Sequence, residues 1–386
     1  MSPWGTHPVS GSQPTETVYG DNGDYSITVT ACDDDGGCTS LTQGFTVANV
    51  APTVDAGPDL HILEAGTATV SPSFSDPGFD SALAGTMEDF TATVAWELRS
   101  TQAPAVTEVP GSAGVLTTGA LTASEAYGDN GVYVVTVTVC DDDGGCGSDT
   151  ATLTVGNVAP TIEDVQIYAA ADITLRVAGE KFHDVCLELT TNGAVTGAAC
   201  VVRMPGSPDR QTATISGGKI QLLGDTAITL YYTPDDDPIN GRRNGDNPAW
   251  VILTFADGSE VRLHHNFNVQ HPGTWVWTLD DLSVELVGRP ITFEATASDV
   301  GSDDLRFDFD FGDLATASTT VFNDGTGPDP VRSPDLLPLT ATASTTHAYS
   351  AAGTYTFTLF VSDDDGGSAP VSRTFTVGAS GGSGGP

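Results

Sequence analysis

The sequence predicts an all-β protein built from tandem β-sandwich modules, and three observations carry this prediction. Gly (44 residues) and Pro (23 residues) are abundant, and both favour turns over helices. No apolar stripe with helical spacing extends beyond two turns, whereas several segments alternate apolar and polar residues as half-buried strands do. A length of 386 residues is enough for about three to four small domains.

A long segment of the chain occurs twice, and it sets the expected module length. Residues 19–54 and 127–162 match at 25 of 36 positions without a gap, at an offset of 108 residues. A looser third copy covers residues 347–377. Its Asp363 follows Asp141 by 222 residues, close to two periods, so we expect one divergent module of similar size between these copies.

Each copy is predicted to be a β-hairpin. In the first strand of each copy, apolar residues that face inward alternate with residues that face outward. The DDDGG segment that follows is typical of a turn, and a second alternating strand comes after it. The inward-facing residues are Tyr25, Ile27, Val29 and Ala31 in the first copy, Tyr133, Val135, Val137 and Val139 in the second, and Tyr355, Phe357, Leu359 and Val361 in the third.

Six cysteines fall into local pairs, which indicates disulfides and an oxidising compartment. The pairs are Cys32 with Cys38, Cys140 with Cys146, and Cys186 with Cys200. The first two pairs lie in the outward phase on opposite arms of predicted hairpins, within reach of a disulfide. A zinc site is the weaker interpretation, because no second CxxC or His pair lies nearby.

The charge balance is strongly acidic, with a net charge of −38 and only 13 Lys and Arg. Nucleic acid and anionic membrane surfaces are therefore poor partners, and no apolar run of 18 residues predicts membrane insertion. The first residues lack the apolar core of a signal peptide, so we expect an exported form to be a processed product or a fragment. The 39 Asp against 12 Glu indicate cation-binding loops. Solubility, including solubility in high salt, is the alternative for the Asp residues outside the repeats.

The repeated pattern resembles the PKD (polycystic kidney disease) domain family, in its tandem extracellular bacterial and archaeal form. The resemblance lies in Y-x-x-x-G-x-Y-x-V-T-V-x-V-x-D-D-D-G-G, followed by T-L-T-V and N-V-A-P-T. Residues 51–156 add FSDPGFDS and TATVAWEL, and residues 279–377 add FEATASDVGSDDLRFDFDFGD. It implies an immunoglobulin-like β-sandwich for each module. The family's W-D-F-G-D-G segment is only FDFDFGDL at 307–314, and it is reduced to Trp96–Glu97–Leu98 in the second module.

The repeats and turn signals divide the chain into five expected regions. They are a partial PKD-like module with only its terminal hairpin (1–48), a PKD-like module (49–158), a divergent β-sandwich (159–272), a PKD-like module (273–378) and a Gly/Ser linker (379–386). A lone hairpin is marginal in water. We therefore expect either a fragment or a first module completed by strands from another subunit.

The resemblance implies calcium sites formed by three places in a module: the linker before the first strand, the S-x-D loop and the Asp-Gly turn. The residues at these places are Asn49, Asp76 and Asp141 in the second module, and Asp299, Asp303 and Asp363, with Asp280 from the linker, in the last. In the first region only Asp33 remains. The alternative is a solvated Asp-rich turn, and the sequence leaves open which Asp of each turn faces inward.

The divergent region holds further candidates, each with a structural alternative. His264 and His265 are adjacent on a strand and point to opposite faces, a poor geometry for a shared metal. The remaining candidates are His183–Asp184 as partners of a His, Tyr231–Tyr232 with Trp275 and Trp277 as a sugar-stacking platform, and Asp235–Asp236–Asp237 with Asp246 as a calcium loop. Structural histidines, core packing and a solvated loop are the corresponding alternatives.

No catalytic motif is present in the sequence, such as G-x-S-x-G, H-E-x-x-H or a Cys–His couple, so an enzyme is not expected. We expect an extracellular structural or adhesive protein of the cell surface, a calcium-stiffened subunit of a fibre or stalk. Its expected partners are further copies of itself, other extracellular proteins or polysaccharide. The alternative is an accessory polysaccharide-binding region of a larger secreted hydrolase.

Overall fold

The computed structural model describes residues 16–81, 85–178, 182–202, 210–234, 246–268, 273–328, 330, 332–333 and 336–378. These residues form β-strands with very little helix, which confirms the predicted all-β class. The chain divides into two compact units, residues 1–156 with 332–336 and residues 157–331 with 337–386. Among the described residues, no helix has the length and apolar character needed to cross a membrane.

The first copy of the repeat is a two-stranded hairpin. β1 (Gly23–Cys32) and β2 (Cys38–Val47) pair antiparallel without a break in register. In the described part of the chain neither strand pairs with any other. The predicted inward phase is consequently open, since Ile27 and Val29 are 47% and 64% exposed.

The module at residues 49–158 is a β-sandwich with one shared core. One sheet has the order β3-β6-β10-β9, a second is the pair β11-β5, and a third has the order β4-β13-β12-β7-β8. The strands are β3 (Thr53–Asp55), β4 (Leu60–Leu63), β5 (Thr67–Val70), β6 (Ser73–Asp76), β7 (Phe90–Trp96), β8 (Thr101–Gln102), β9 (Thr107–Val109), β10 (Thr117–Ala120), β11 (Ala123–Ala126), β12 (Gly131–Asp141) and β13 (Cys146–Gly156).

The predicted inward phase of β12 lies at the centre of this core. Tyr133, Val135, Val137 and Val139 are fully buried, as the alternation predicts. Their neighbours in the core include Phe74 from β6. Each fully buried side chain of this size stabilises the module by roughly 1.5–3 kcal/mol, so the core holds the end of β12, and with it Asp141, in a fixed position.

The second unit contains three sheets. Their orders are β20-β19-β14-β22-β25, with β17 also paired to β14, then β16-β15-β18-β21, and β24-β23-β26-β27. The strands are β14 (Thr161–Ala178), β15 (Phe182–Thr191), β16 (Ala194–Val202), β17 (Arg210–Gln221), β18 (Thr226–Pro234), β19 (Asp246–Phe255), β20 (Glu260–Asn268), β21 (Gly273–Thr278), β22 (Ile291–Asp299), β23 (Leu305–Asp310), β24 (Thr316–Val321), β25 (Leu339–His347), β26 (Gly353–Ser362) and β27 (Ser368–Val377).

Strand β14 belongs to both of the regions that we expected as separate modules at 159–272 and 273–378. Its first part pairs with β22 from Thr161 to Tyr168, and its second part pairs with β17 and β19 up to Ala178. An 18-residue strand is long enough to serve both sets of partners. Strands β15 to β21 therefore lie, in sequence, between the first strand of the PKD-like region and the rest of it.

A short helical segment returns the chain to this region. Helix α1 (Leu279–Ser283) and a 3₁₀ turn (Val284–Leu286) follow β21 and precede β22. Leu282 and Leu286 are fully buried and anchor the segment to the core. The Ser283 carbonyl accepts a hydrogen bond of 2.8 Å from the Gly378 N–H. Gly378 follows β27, so it lies at the end of the last hairpin that is opposite to the Asp-Gly turn.

All three predicted disulfides are present. Cys32–Cys38, Cys140–Cys146 and Cys186–Cys200 each join residues directly opposite one another on paired strands. Their Cα atoms are 4.1, 4.1 and 4.0 Å apart. Ser362 and Ser368 occupy the same place in the last hairpin. That hairpin keeps its register without a bridge.

Candidate metal sites

The three Asp-Gly turns share one conformation, and it identifies the aspartate that is held by the backbone. In each turn the first Asp donates its N–H to the carbonyl of the second Gly, and its carboxylate accepts the N–H of that Gly. The pairs are Asp33 with Gly37 (2.9 and 2.6 Å), Asp141 with Gly145 (3.0 and 2.7 Å) and Asp363 with Gly367 (3.2 and 2.6 Å). In all three turns, the Asp that the backbone holds is therefore the first of the three.

The second glycine of the turn makes room for the segment that precedes the module. A Cβ on Gly145 would approach Asp141 Oδ2 to 2.5 Å and Asn49 Nδ2 to 2.7 Å. A Cβ on Gly367 would crowd Asp363 and Asn157 in the same way. Glycine is therefore needed at this position because two polar side chains meet directly over its backbone.

The first candidate site, the Asn49 site, consists of Asn49, Asp76 and Asp141. Asn49 Nδ2 donates a hydrogen bond of 2.9 Å to Asp141 Oδ2. Asp76 ends β6 and is only 2% exposed, and Asp141 ends β12 and is 6% exposed. The Gly78 N–H donates to Asp76 Oδ1 at 2.6 Å, whereas the buried Asp76 Oδ2 has no hydrogen-bond partner among the described residues.

Burial and neighbouring acids raise the pKa values of carboxyl groups in and beside the Asn49 site. Burial raises the pKa of Asp76, and the Asp141 charge raises it further, against the lowering effect of the Gly78 N–H. Glu88 lies beside them, and burial, with smaller contributions from Asp76 and other acids, raises the pKa of its carboxyl to about 8. Glu88 is not predictable from the sequence, because nothing in the residues around it distinguishes it from an ordinary surface acid.

The second candidate site, the Asn157 site, repeats this arrangement in the last module. Asn157 Nδ2 donates a hydrogen bond of 3.1 Å to Asp363 Oδ2. Asp299 and Asp363 are 4% and 6% exposed. In the described part of the chain, Asp299 Oδ2 and Asn157 Oδ1 are buried without hydrogen-bond partners. One carboxylate oxygen of Asp303 lies within 4.8 Å of one of Asp299.

The two sites are equivalent in backbone register. Thr53 of β3 opposes the residue before Asp76, and Thr161 of β14 opposes the residue before Asp299. Burial raises the pKa of Asp299 to about 6. The Gly301 N–H lowers this pKa by a smaller amount, and the Asp363 charge raises it by less again. The same strand geometry therefore produces the same buried pair of acids twice.

Asp280, predicted as the linker ligand of the last module, does not come near the other predicted residues of that module. It is exposed on α1, whose Ser283 bonds to Gly378, eleven residues along the hairpin from Gly367. At about 3.3 Å per strand residue, that end is roughly 35 Å from the turn. Asn157 takes the place instead, and the signal was present in the sequence, since N-V-A-P-T at 157–161 repeats 49–53.

The candidates of the divergent region do not form a shared site in the described residues. His265 stacks on Trp275 with ring centroids 4.3 Å apart, whereas His264 lies near Trp250 on the other face. The register places Tyr231 opposite Thr274 and Leu230 opposite Trp275. Tyr231 and Trp275 therefore point to opposite faces, so the four aromatic residues do not make one platform.

Several expectations fall on residues outside the described parts of the chain. These are the side chain of His183, the calcium loop of Asp235–Asp236–Asp237 with the side chain of Asp246, and the linker at 379–386.

The geometry of the last module agrees with a family match. Residues 284–378 match the PKD domain family. This region is a PKD domain. The resemblance drawn from the sequence is confirmed here. The first strand of this region lies outside 284–378, because β14 supplies it by pairing with β22.

Several solved structures are similar to this chain at low sequence identity. A tetra-tandem repeat from the extending region of a large adhesion protein is 15% identical, covers 92% of this chain and 82% of that chain, and has a TM-score of 0.23. The N-terminal Ig1-2 module of the Drosophila receptor protein tyrosine phosphatase DLAR is 11% identical, with coverages of 57% and 100% and a TM-score of 0.18.

A third similar structure is the Bacteroides ovatus mixed-linkage glucan utilization locus protein SGBP-B in complex with a heptasaccharide. It is 10% identical, with coverages of 86% and 71% and a TM-score of 0.19. A search of the curated proteins finds no match.

Proposed function

We propose that the chain is an extracellular structural or adhesive protein whose β-sandwich modules are stiffened by calcium. One observation carries the proposal: the Asn49 and Asn157 sites each bury two aspartates, and in each site one carboxylate oxygen has no hydrogen bond from the described residues. An ionised carboxylate that is buried and unpaired is costly. A bound cation would remove this cost in both modules. Without a cation, each of the two modules would bury an unpaired carboxylate.

The donor set suits calcium. Ca²⁺ prefers six to eight oxygen ligands from carboxylates, amide carbonyls and water. Asp76 and Asp141 offer carboxylate oxygens in one site, and Asp299 and Asp363 in the other, while the Asn157 amide oxygen is buried and unbonded in the described residues. Rotating the Asn amide would present its oxygen in place of the N–H that now bonds the aspartate.

Calcium at these positions would fix the segment that enters each module. Asn49 precedes β3, whereas Asp76 and Asp141 end strands of two different sheets. A single ion held by all three would tie the entering segment to both sheets. The Asn157 site would do the same for the segment that enters β14. This stiffening is what a stalk or fibre requires of tandem modules.

The wider properties of the chain support an extracellular role. Three disulfides indicate an oxidising compartment. A net charge of −38 opposes binding to nucleic acid or anionic membranes. No residue of the Asn49 or Asn157 site is a nucleophile paired with a base, as covalent catalysis requires, so we propose a non-catalytic role.

The first hairpin supports self-association as part of the proposal. Its inward phase is open, with Val29 64% and Leu41 75% exposed. Strands from a second copy would cover this face and complete the module, by β-augmentation. Sedimentation or electron microscopy of the native protein is expected to reveal polymers, and the replacement Val29→Lys is expected to disperse them. Monodisperse native protein in calcium would remove the polymer from the proposal.

The calcium proposal is tested by thermal unfolding in calcium and in EGTA. At a hundredfold excess over Kd a single ion stabilises by about 2.7 kcal/mol, so we expect the wild-type melting temperature to fall by several degrees in EGTA. The variant Asp76→Asn should lose this dependence for its module. Asp33→Asn is the matched control, because Asp33 caps the same turn but is exposed. An equal EGTA shift in wild type and Asp76→Asn would refute calcium at the Asn49 site.

Polysaccharide binding is the second candidate, and exposed Trp275 favours it. This ring is 45% exposed and lies 6.4 Å, centroid to centroid, from buried Trp277. An exposed Trp on a sheet provides a flat surface against which a sugar ring stacks. Affinity electrophoresis in gels containing soluble polysaccharides should show retardation that Trp275→Ala abolishes. Equal mobility of both proteins in every gel would eliminate this candidate.

A further inference from the structure

A second cluster of acids lies beside the Asn49 site. Asp21, Glu88 and Asp143 each contribute one carboxylate oxygen to a group in which all the oxygens lie within 4.8 Å of one another. Asp21 precedes β1 of the first hairpin, Glu88 precedes β7, and Asp143 is the third Asp of the turn after β12. The cluster therefore joins three segments that are distant in sequence.

Two members of the cluster, Asp21 and Glu88, line a cavity of about 130 Å³. The cavity is lined by 19–22, 47–50, 76–78 and Glu88. The Phe79 N–H donates a hydrogen bond of 2.7 Å to the Gly20 carbonyl and holds the two sides together. Gly20 is buried, and a Cβ there would approach the Phe79 carbonyl oxygen to 2.5 Å, so the close approach depends on glycine.

A separate observation indicates that the cavity holds a ligand. Asp76 lines it, is only 2% exposed, and has no hydrogen-bond partner for Oδ2 in the described residues. Asp21 Oδ1 is also buried and unbonded among those residues. A Cβ on Gly78 would contact Glu88 Oε2 and lie 3.0 Å from Asp76 Oδ1. The carboxylates of Glu88 and Asp76 are thus neighbours around the same space.

Charge also argues for more than one cation at this end of the module. The acids that act on Glu88 are Asp76, Asp142, Asp21 and Asp141, and Asp143 completes the group. One divalent ion at the Asn49 site would balance two charges of these six carboxyl groups. Carboxylates at such separations repel one another, and the raised pKa of Glu88 is one result of that crowding. A second divalent ion would allow Glu88 to ionise and would balance the charges of its neighbours.

We propose that Asp21, Glu88 and Asp143 hold a second calcium ion, next to the one at the Asn49 site. This inference rests on the proposed calcium binding at the same end of the module. Asp21 belongs to the hairpin segment and the other two ligands belong to the module at 49–158. The ion at this position joins the hairpin to the module directly, whereas the ion at the Asn49 site fixes the linker between them.

Counting bound ions tests the proposal. Equilibrium dialysis of the full chain against calcium should give one ion fewer per chain for Glu88→Gln and for Asp143→Asn than for wild type. Asp35→Asn is the matched control for Asp143→Asn, because it replaces the third Asp of the exposed turn, and it should bind as many ions as wild type. Asp76→Asn reports on the Asn49 site in the same experiment.

The outcomes separate the two proposals. Loss of an ion in Asp76→Asn, with none lost in Glu88→Gln or Asp143→Asn, would overturn the second position and leave the first. No loss in any of the three variants would overturn both. Melting in EGTA controls for folding: Glu88→Gln should be about as stable as wild type there at neutral pH, since the amide resembles the protonated carboxyl that a pKa of about 8 implies, and should gain less from calcium. A lower melting temperature in EGTA would assign Glu88 a structural role instead.

Discussion

The hairpins β1–β2 and β12–β13 have nearly the same sequence and opposite surroundings. They share 25 of 36 residues across the repeat, the same register, the same disulfide position and the same Asp-Gly turn. In the module, however, β12 also pairs with β7 and its inward phase is fully buried. In the first hairpin the same phase is open, with Val29 64% exposed.

The comparison separates what a local sequence specifies from what its surroundings add. Strand phase, turn and disulfide are local, since both hairpins have them. Burial is not local, and neither is the candidate metal site. Asp33 is bonded to its turn as Asp141 is, yet it is exposed. An Asp-Gly turn therefore becomes a candidate calcium site only where a module brings an Asn and a second buried Asp to it.

The largest difference is expected from one substitution made in each hairpin. Val137→Ala removes two buried methyl groups and should destabilise the module by about 2–3 kcal/mol. In the monomeric protein, Val29→Ala, at the equivalent position, should change stability by less than about 0.5 kcal/mol, because its side chain is exposed there. Hydrogen exchange of β12 and β1 measures both. Equal effects would mean that a partner covers the first hairpin in solution.

The disulfides of these two hairpins should show the second-largest difference in effect. Each of the two closes a loop of the same length, and removing either costs about 2 kcal/mol by loop entropy. Replacing Cys140 and Cys146 by Ser should leave the module folded, since its core remains. Replacing Cys32 and Cys38 should abolish exchange protection in β1 of the monomeric protein, because an isolated hairpin is marginal. Retained protection in β1 would contradict the independence of that hairpin.

The smallest expected effect concerns the second glycine of the turn. Gly145→Ala brings a Cβ against Asp141, Asn49 and the Ala51 backbone, and overpacking of this kind costs roughly 1–3 kcal/mol. Gly37→Ala meets only the movable Asp33 side chain and should cost less. Calcium affinity at the Asn49 site should fall only in the first variant. An equal loss of stability in both would place the strain in the turn itself.

Strand phase and disulfides within a hairpin could be predicted from the sequence. Contacts between residues that are far apart in the chain could not. Alternation predicted Val135 and Val137 as core, and the spacing of Cys140 and Cys146 predicted their disulfide. Asn157 was missed as a partner of Asp363 because 206 residues separate them, and Asp280 was named as the residue from the linker. Glu88 has no motif, and only the folded loops bring it to Asp76.

The double use of β14 was also beyond the sequence. A run of 18 strand residues gives no sign of where one set of partners ends and another begins. Two modules in succession and one region inserted after the first strand of another produce similar patterns of turns and strands. The repeat of N-V-A-P-T before β14 was the available clue, since it marks the start of a PKD-like module.

Anomalous diffraction from crystals soaked in terbium, a hard cation that replaces calcium, tests the central claim most directly. We expect peaks within about 2.3–2.6 Å of carboxylate oxygens at Asp76 with Asp141 and at Asp299 with Asp363. No peak is expected at Asp33, which has the same turn without the buried partners. Peaks at Asp33 and other exposed acids, with none at the two buried pairs, would contradict the claim.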